Sequence, residues 1–198
     1  MADPILLEGM YYLGLLVYLT LSGVSAVATA GPLFSNYEDW WDKDLKKPYS
    51  PPDWVKGIIW VILYACLAGA GFLVWQKPIF IAPITGQLVD LTDAATFQKG
   101  FYLTLLSLHF VLMFFPPIWT TLVFKFKLIG LGIWCIIIEI CVVGTLAGIC
   151  FAFYYIPAIL YSVYLGYSVI ALILNIVIYN NKDNKLLANK YTRVNKGA

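Results

Sequence analysis

The stretch LIGLGIWCIIIEICVVGTLAGICFAFYYIPAILYSVYLGYSVIALILNIVIY, Leu128 to Tyr179, carries a single charged residue, Glu139. A hydrocarbon core about 30 Å thick is crossed by roughly 20 apolar residues in helical form. At about 1.5 Å per residue the run is far too long for one crossing, so it must fold back. Pro157 has no backbone N–H and disfavours the helical conformation at Ile156, which puts the expected turn around Tyr154 to Pro157. The run then reads as two spans, Leu128 to Phe153 and Pro157 to Tyr179.

The same length rule finds three more spans upstream: Met10 to Ala30, Gly57 to Trp75, and Gly100 to Phe124, which stops at Lys125. Composition agrees, since the chain is 61% hydrophobic and 12% charged, against about 45–50% and about 25% in soluble domains. A closed barrel would show short segments of alternating polarity, which these runs lack, so the backbone must satisfy itself as helices. The expected fold is all-α integral membrane: a five-transmembrane-helix bundle over residues 1–179, with a structured first loop. The basic, polar tail 180–198 reads as a solvated, partly disordered end beside an anionic lipid surface.

With five spans, one side of the membrane holds only Lys77 and Lys99 of the 13 cations. Lys43, Lys46, Lys47 and Lys56 fall in or beside the first loop, Lys125 and Lys127 in the third, and Lys182, Lys185, Lys190, Arg193 and Lys196 in the tail, all on the other side. Eleven cations against two places the C-terminus in the cytosol by the positive-inside rule. The run from Met10 to Leu21 followed by Ala28, Thr29 and Ala30 also resembles a signal peptide with its cleavage site, but the preceding segment has Asp3 and Glu8 and no Lys or Arg, so an uncut first helix is preferred. The amphipathic, Arg-rich start of a mitochondrial presequence is absent as well.

Cys66, Cys135, Cys141 and Cys150 lie inside apolar spans without CxxC spacing or a histidine pair, so they read as small hydrophobes; no metal, cofactor or nucleic-acid partner is expected. Glu139 is expensive to insert and is expected to face the bundle interior or to sit protonated, as a hydrogen-bonded structural acid or as a group handling ligand or protons. His109, the single histidine, makes neither a metal site nor a triad and reads as a polar group of a ligand pocket. Gly144 and Gly148 form a G-x-x-x-G face suited to dimerisation or to tight packing within the chain.

The segment WWDKDLKKPYSPPDWVKGIIWVILYACLAGAGFLVW, Trp40 to Trp75, resembles the translocator protein family, also called the peripheral-type benzodiazepine receptor or tryptophan-rich sensory protein. Trp41, Leu45, Lys47, Pro48, Pro51, Pro52, Trp54, Val55, Trp60, Leu63, Tyr64, Leu73, Val74 and Trp75 match that family's pattern in one register. In the fifth span Tyr164, Leu165, Leu174 and Asn175 fall at the family spacing, while Tyr167 replaces a tryptophan and Val163 a proline. In the third span Leu106, Leu108, His109 and Leu112 stand where the family has L-x-L-N-x-x-W; aligning the family's Pro-Pro on Pro116 and Pro117 gives a different register. The first loop is one residue shorter than the family's between Pro48 and Pro51, with Ser50 in place of a tryptophan. The family's sterol-recognition tyrosine and arginine are Ile176 and Asn180 here, although Val177, Tyr179 and Lys182 satisfy a shifted, loose form of that pattern.

The resemblance implies a five-helix bundle, expected as a homodimer, that binds sterols, porphyrins or similar lipophiles in the outer mitochondrial membrane, with their translocation as a further step, and that is not an enzyme. Trp41, Lys47, Pro48, Pro51 and Pro52 would form a stiff lid, since the prolines deny the loop helix and sheet. An interfacial aromatic belt explains the tryptophans alone, but prolines and charges set between them suit a pocket cover better. Trp54, Ala171, Leu174 and Asn175 become pocket candidates, to which His109, Leu112 and Trp134 are added; Val177, Tyr179 and Lys182 are the sterol-contact candidates. Two rivals stand beside this reading. One is a membrane enzyme acting on porphyrin or sterol, with Glu139 as acid/base and His109 assisting, which requires both groups to face one cavity. The other is a structural or scaffolding membrane protein.

Overall fold

A computed structural model describes residues 4–36, 53–76, 79–81, 88–90 and 97–196, with side chains described within 12–32, 54–76, 103–152 and 154–180. The elements run α1 (Pro4–Asn36), α2 (Asp53–Gln76), a hairpin of β1 (Ile79–Ile81) and β2 (Leu88–Asp90), α3 (Phe97–Leu112), α4 (Phe115–Thr120), a π-helical turn (Thr121–Lys125), α5 (Ile129–Phe153) and α6 (Tyr155–Lys196). Five segments are long and apolar enough to cross a membrane: Tyr12–Pro32, Trp54–Gln76, Leu103–Lys125, Ile129–Ala152 and Tyr155–Asn180. The chain is a multi-pass membrane protein whose spans are all helical, and the three-residue strands pair antiparallel, Phe80 opposite Val89, in the loop between the second and third spans. The lid residues Trp41, Lys47, Pro48, Pro51 and Pro52, and with them the structured first loop, lie outside the described residues.

The long apolar run breaks where its proline demands. Tyr154 turns to an extended conformation (φ −151°, ψ 97°) between α5 and α6. Pro157 then occupies the first turn of α6, where a backbone N–H would have no helical acceptor. Two elements differ from the sequence reading. The tail does not leave the helix at 180, because α6 continues to Lys196 through a segment free of proline and glycine. The third span is not one helix: α3 ends with the Phe114 N–H turned back to the Val111 carbonyl (3.1 Å), and α4 restarts with Pro116 and Pro117 in its first turn.

That break has a specific repair. Pro117 has no N–H to give the Met113 carbonyl four residues back, and the hydroxyl of Ser25 on α1 donates to it instead, at 2.6 Å. Thr29 Oγ1 lies 2.6 Å from the Tyr64 hydroxyl and Ser25 Oγ 3.3 Å from it, so α1, α2 and the broken third span share one buried network. The π turn closes with Phe126 N–H to the Thr121 carbonyl, and Lys127, at φ 59°, takes the left-handed conformation that lets α5 begin two residues later.

The interior is built from Leu63, Leu67, Ala70 and Val74 of α2, Leu105 and Leu112 of α3, Met113 after it, Val143, Leu146, Ala147 and Cys150 of α5, and Ala158, Tyr161 and Tyr164 of α6. In lipid such contacts gain little from the hydrophobic effect, and close packing with buried hydrogen bonds holds the helices together. The inward face of α1 is accordingly small or polar: Gly14, Tyr18, Ser22, Ser25 and Thr29 recur at helical spacing and are all buried. Large outward side chains such as Leu16, Val27, Val61, Leu131 and Ile173 meet the lipid. A Cβ on Gly144 or Gly148 would meet nothing within 4 Å, so among the described residues the G-x-x-x-G face makes no tight contact.

Candidate functional site

One buried face of α6 hands polar side chains to the third and fourth spans. Tyr161, Tyr164, Ser168 and Asn175 are spaced by three, four and seven residues, which aligns them along the helix. Tyr161 meets His109 of α3, with its hydroxyl 2.8 Å from Nδ1. The Tyr164 hydroxyl donates to Oε1 of Glu139 on α5. Trp119 Nε1–H of α4 donates to Asn175 Oδ1 at 3.3 Å, while Asn175 Nδ2 returns a bond to the Ala171 carbonyl. Ser168 Oγ caps the ladder's middle on the Tyr164 carbonyl, 3.1 Å away.

Chain direction sorts these groups into two levels. The first loop joins the end of α1 to the start of α2, so Thr29, Trp60, Tyr64, Trp119 and Asn175 all stand in the half of the bundle nearest that loop. There Trp60 is the hub of an aromatic cluster. Its ring lies 5.8 Å from Tyr64, 6.4 Å from Trp119 and 5.8 Å from Tyr167, the last edge-on, and Trp119 meets Phe124 edge-on at 5.8 Å. Trp60, Trp119 and Tyr167 are half-buried, so flat apolar faces with polar tips line the loop-1 half.

The other half holds His109, Tyr18 and Trp75. The Tyr18 ring stands edge-on to His109 at 5.2 Å and to Trp75 at 6.3 Å. Gly71 makes this arrangement fit: a Cβ there would lie 2.5 Å from both His109 Nε2 and Tyr18 Cε1. His109 Nε2 is buried and has no hydrogen-bond partner among the described residues, and the Tyr18 ring lies edge-on beside the imidazole.

The sequence-predicted residues therefore scatter. Asn175 is buried and hydrogen-bonded in the loop-1 half, with Ala171 and Leu174 half-buried on the same helix. Leu112 is fully buried in the apolar interior, and His109 is buried beside Tyr161 in the opposite half. Trp54 is 71% exposed at the start of α2, and Trp134 is 63% exposed on the outer face of α5. Val177 is half-buried and Tyr179 exposed, while the Lys182 side chain lies outside the described residues. Glu139 faces the interior as expected, but it and His109 are committed to different tyrosines, so they do not form an acid/base pair.

Trp60, Tyr64, Trp119, Tyr164 and Tyr167 were not singled out as site residues. Their signal was present, because tyrosines and polar residues recurring at three- and four-residue intervals inside an apolar span mark its inward face. Residues 15–180 match the TspO/MBR family. No curated protein matches the chain.

Proposed function

The chain belongs to the TspO/MBR family, and from that premise we propose that it binds lipophilic ligands, sterols or tetrapyrroles, between its helices beneath the first loop. Translocation of the bound ligand is the further step implied by the family resemblance. The observation that carries the reading is the Trp60 hub: three aromatic neighbours within 6.4 Å, half-buried, with polar tips, in the half of the bundle that the first loop would cover. Flat apolar ligands suit such faces, since burial gains about 25 cal/mol per Å² and each aromatic contact adds about 1 kcal/mol. We read the protein as a binder rather than an enzyme, because Glu139 and His109 are bound to separate tyrosines. The outer mitochondrial membrane and a cytosolic C-terminus are the location and orientation we favour, on family resemblance and on the distribution of lysine and arginine.

Protoporphyrin IX and cholesterol titrated against the protein in nanodiscs, read by tryptophan quenching, test the reading. Saturable binding is expected, weakened at least about tenfold by Trp60→Ala, the equivalent of about 1.4 kcal/mol, and weakened also by Trp54→Ala if the loop acts as a lid. A folded wild-type protein that binds neither ligand, or a Trp60→Ala variant that binds both as wild type does, refutes it and leaves the scaffolding role.

A further inference from the structure

We propose that the mouth of this site, at its loop-1 end, recognises a carboxylate carried by a flat apolar ligand, with the Lys56 ammonium as the group that holds it. The proposal rests on the ligand-binding reading above and narrows its ligand class to anionic amphiphiles, which include a tetrapyrrole with carboxylate side chains and exclude an uncharged sterol as the preferred ligand.

Lys56 belongs to the inward stripe of α2. Lys56, Trp60, Leu63, Leu67, Ala70 and Val74 follow one another at intervals of three and four residues, and the last four are buried. Lys56 is the charged member of that stripe and is half-buried in it. It precedes Trp60 by four residues, about 6 Å along the axis toward the first loop. Because Cα–Cβ bonds tilt toward a helix N-terminus, its apolar stem leads away from Trp60 and carries the ammonium toward water.

The far wall of the aromatic cluster ends in the same way. Trp119, 6.4 Å from Trp60, packs edge-on against Phe124, and the next residue is the exposed Lys125. Among the described side chains the lysines are Lys56, Lys125 and Lys127, all at the loop-1 end, and the only carboxyl is Glu139, ten residues inside α5 and hydrogen-bonded to Tyr164. A ring lying on Trp60 with its carboxylate turned inward would bury that charge against Leu63 and Leu67, without a cation to pair it. Turned outward, the carboxylate meets Lys56 at the water boundary in a charge-assisted hydrogen bond. An ammonium has three donors, so Lys56 can take a carboxylate alongside the interaction it already has. Lys125 is exposed and therefore more strongly screened, which leaves Lys56 as the selective group.

Protoporphyrin IX and its dimethyl ester share one ring system and differ only in their carboxylates. Each is titrated near neutral pH into phosphatidylcholine nanodiscs that carry the full chain, with empty nanodiscs correcting for partition, and cholesterol is titrated beside them. The wild-type protein is expected to bind the diacid at least about tenfold tighter than the ester, the equivalent of one hydrogen bond to a charged group. Lys56→Met, which keeps the apolar stem, should bring the diacid to within about threefold of the ester, whereas Lys56→Arg should keep the preference and Lys125→Met should change it by less than about threefold. The wild-type ranking and the Arg variant do not depend on the Met variant folding. Phosphatidylserine added to the nanodiscs should leave the preference in place; its loss there would make Lys56 a contact for lipid head groups and overturn the proposal. Equal binding of diacid and ester, or saturable binding of cholesterol alone, overturns it and spares the pocket. A preference that survives Lys56→Met, which capture by Lys43, Lys46 or Lys47 of the first loop would produce, overturns it as well. No saturable binding of either porphyrin or of cholesterol removes both the proposal and the pocket.

Discussion

Gly71→Ala adds one methyl group at a crowded point where three spans meet. The new carbon would lie 2.5 Å from His109 Nε2, 2.5 Å from Tyr18 Cε1 and 2.6 Å from Tyr18 Cδ1, whereas favourable contact needs about 3.5–4.0 Å. Both rings must retreat by about 1 Å, and neither is free to do so. His109 is held by the Tyr161 hydroxyl at 2.8 Å, and Tyr18 packs edge-on against Trp75. Replacing glycine by alanine inside a helix gains about 1 kcal/mol, overpacking costs about 1–3 kcal/mol, and a broken His109–Tyr161 bond costs about 1 kcal/mol more. The net expectation is destabilisation of about 1–3 kcal/mol. Reversible unfolding in mixed micelles, followed by circular dichroism, measures it. Gly148→Ala is the control: its Cβ meets nothing within 4 Å, so only the propensity gain of up to about 1 kcal/mol should appear. In the Tyr18→Ala background part of the cost of Gly71→Ala should vanish, because one of the two obstructing rings is gone. A Gly71→Ala protein as stable as wild type, beside a Gly148→Ala control that behaves as described, would refute the packing of these three spans.

Ser25→Ala leaves the Met113 carbonyl buried without its donor and should cost about 1–3 kcal/mol in the same unfolding assay. Pro117→Ala restores a backbone N–H four residues after that carbonyl, so the double variant should lose at least about 0.5 kcal/mol less than the two single losses combined; strict additivity would mean that Ser25 does not substitute for the missing amide. The open face of α5 carries Gly144 and Gly148 with Cys141 exposed a turn away. If a second copy packs there, copper-phenanthroline oxidation in bilayers yields a Cys141-dependent dimer that Gly148→Leu abolishes, and a chain that stays monomeric under both conditions counts against that interface.

Span number and the position of the Tyr154 break were legible because each follows from a backbone requirement that no tertiary contact can override: length against bilayer thickness, and the missing N–H of Pro157. The tail was misread for the opposite reason. Its charges speak to where it lies, in water, and not to whether its backbone is helical, and α6 runs on to Lys196. Inside the spans the difficulty is different again. In α5 nearly every residue from Ile129 to Phe153 is apolar, so hydrophobic periodicity does not separate the lipid face from the interior face. The two tryptophans among the pocket candidates, Trp54 from the family pattern and Trp134 beside it, lie on exposed faces. The interior is marked instead by what lipid will not accept, hydroxyls, amides and a carboxyl at helical spacing, and Tyr161, Tyr164 and Asn175 find their partners on other spans.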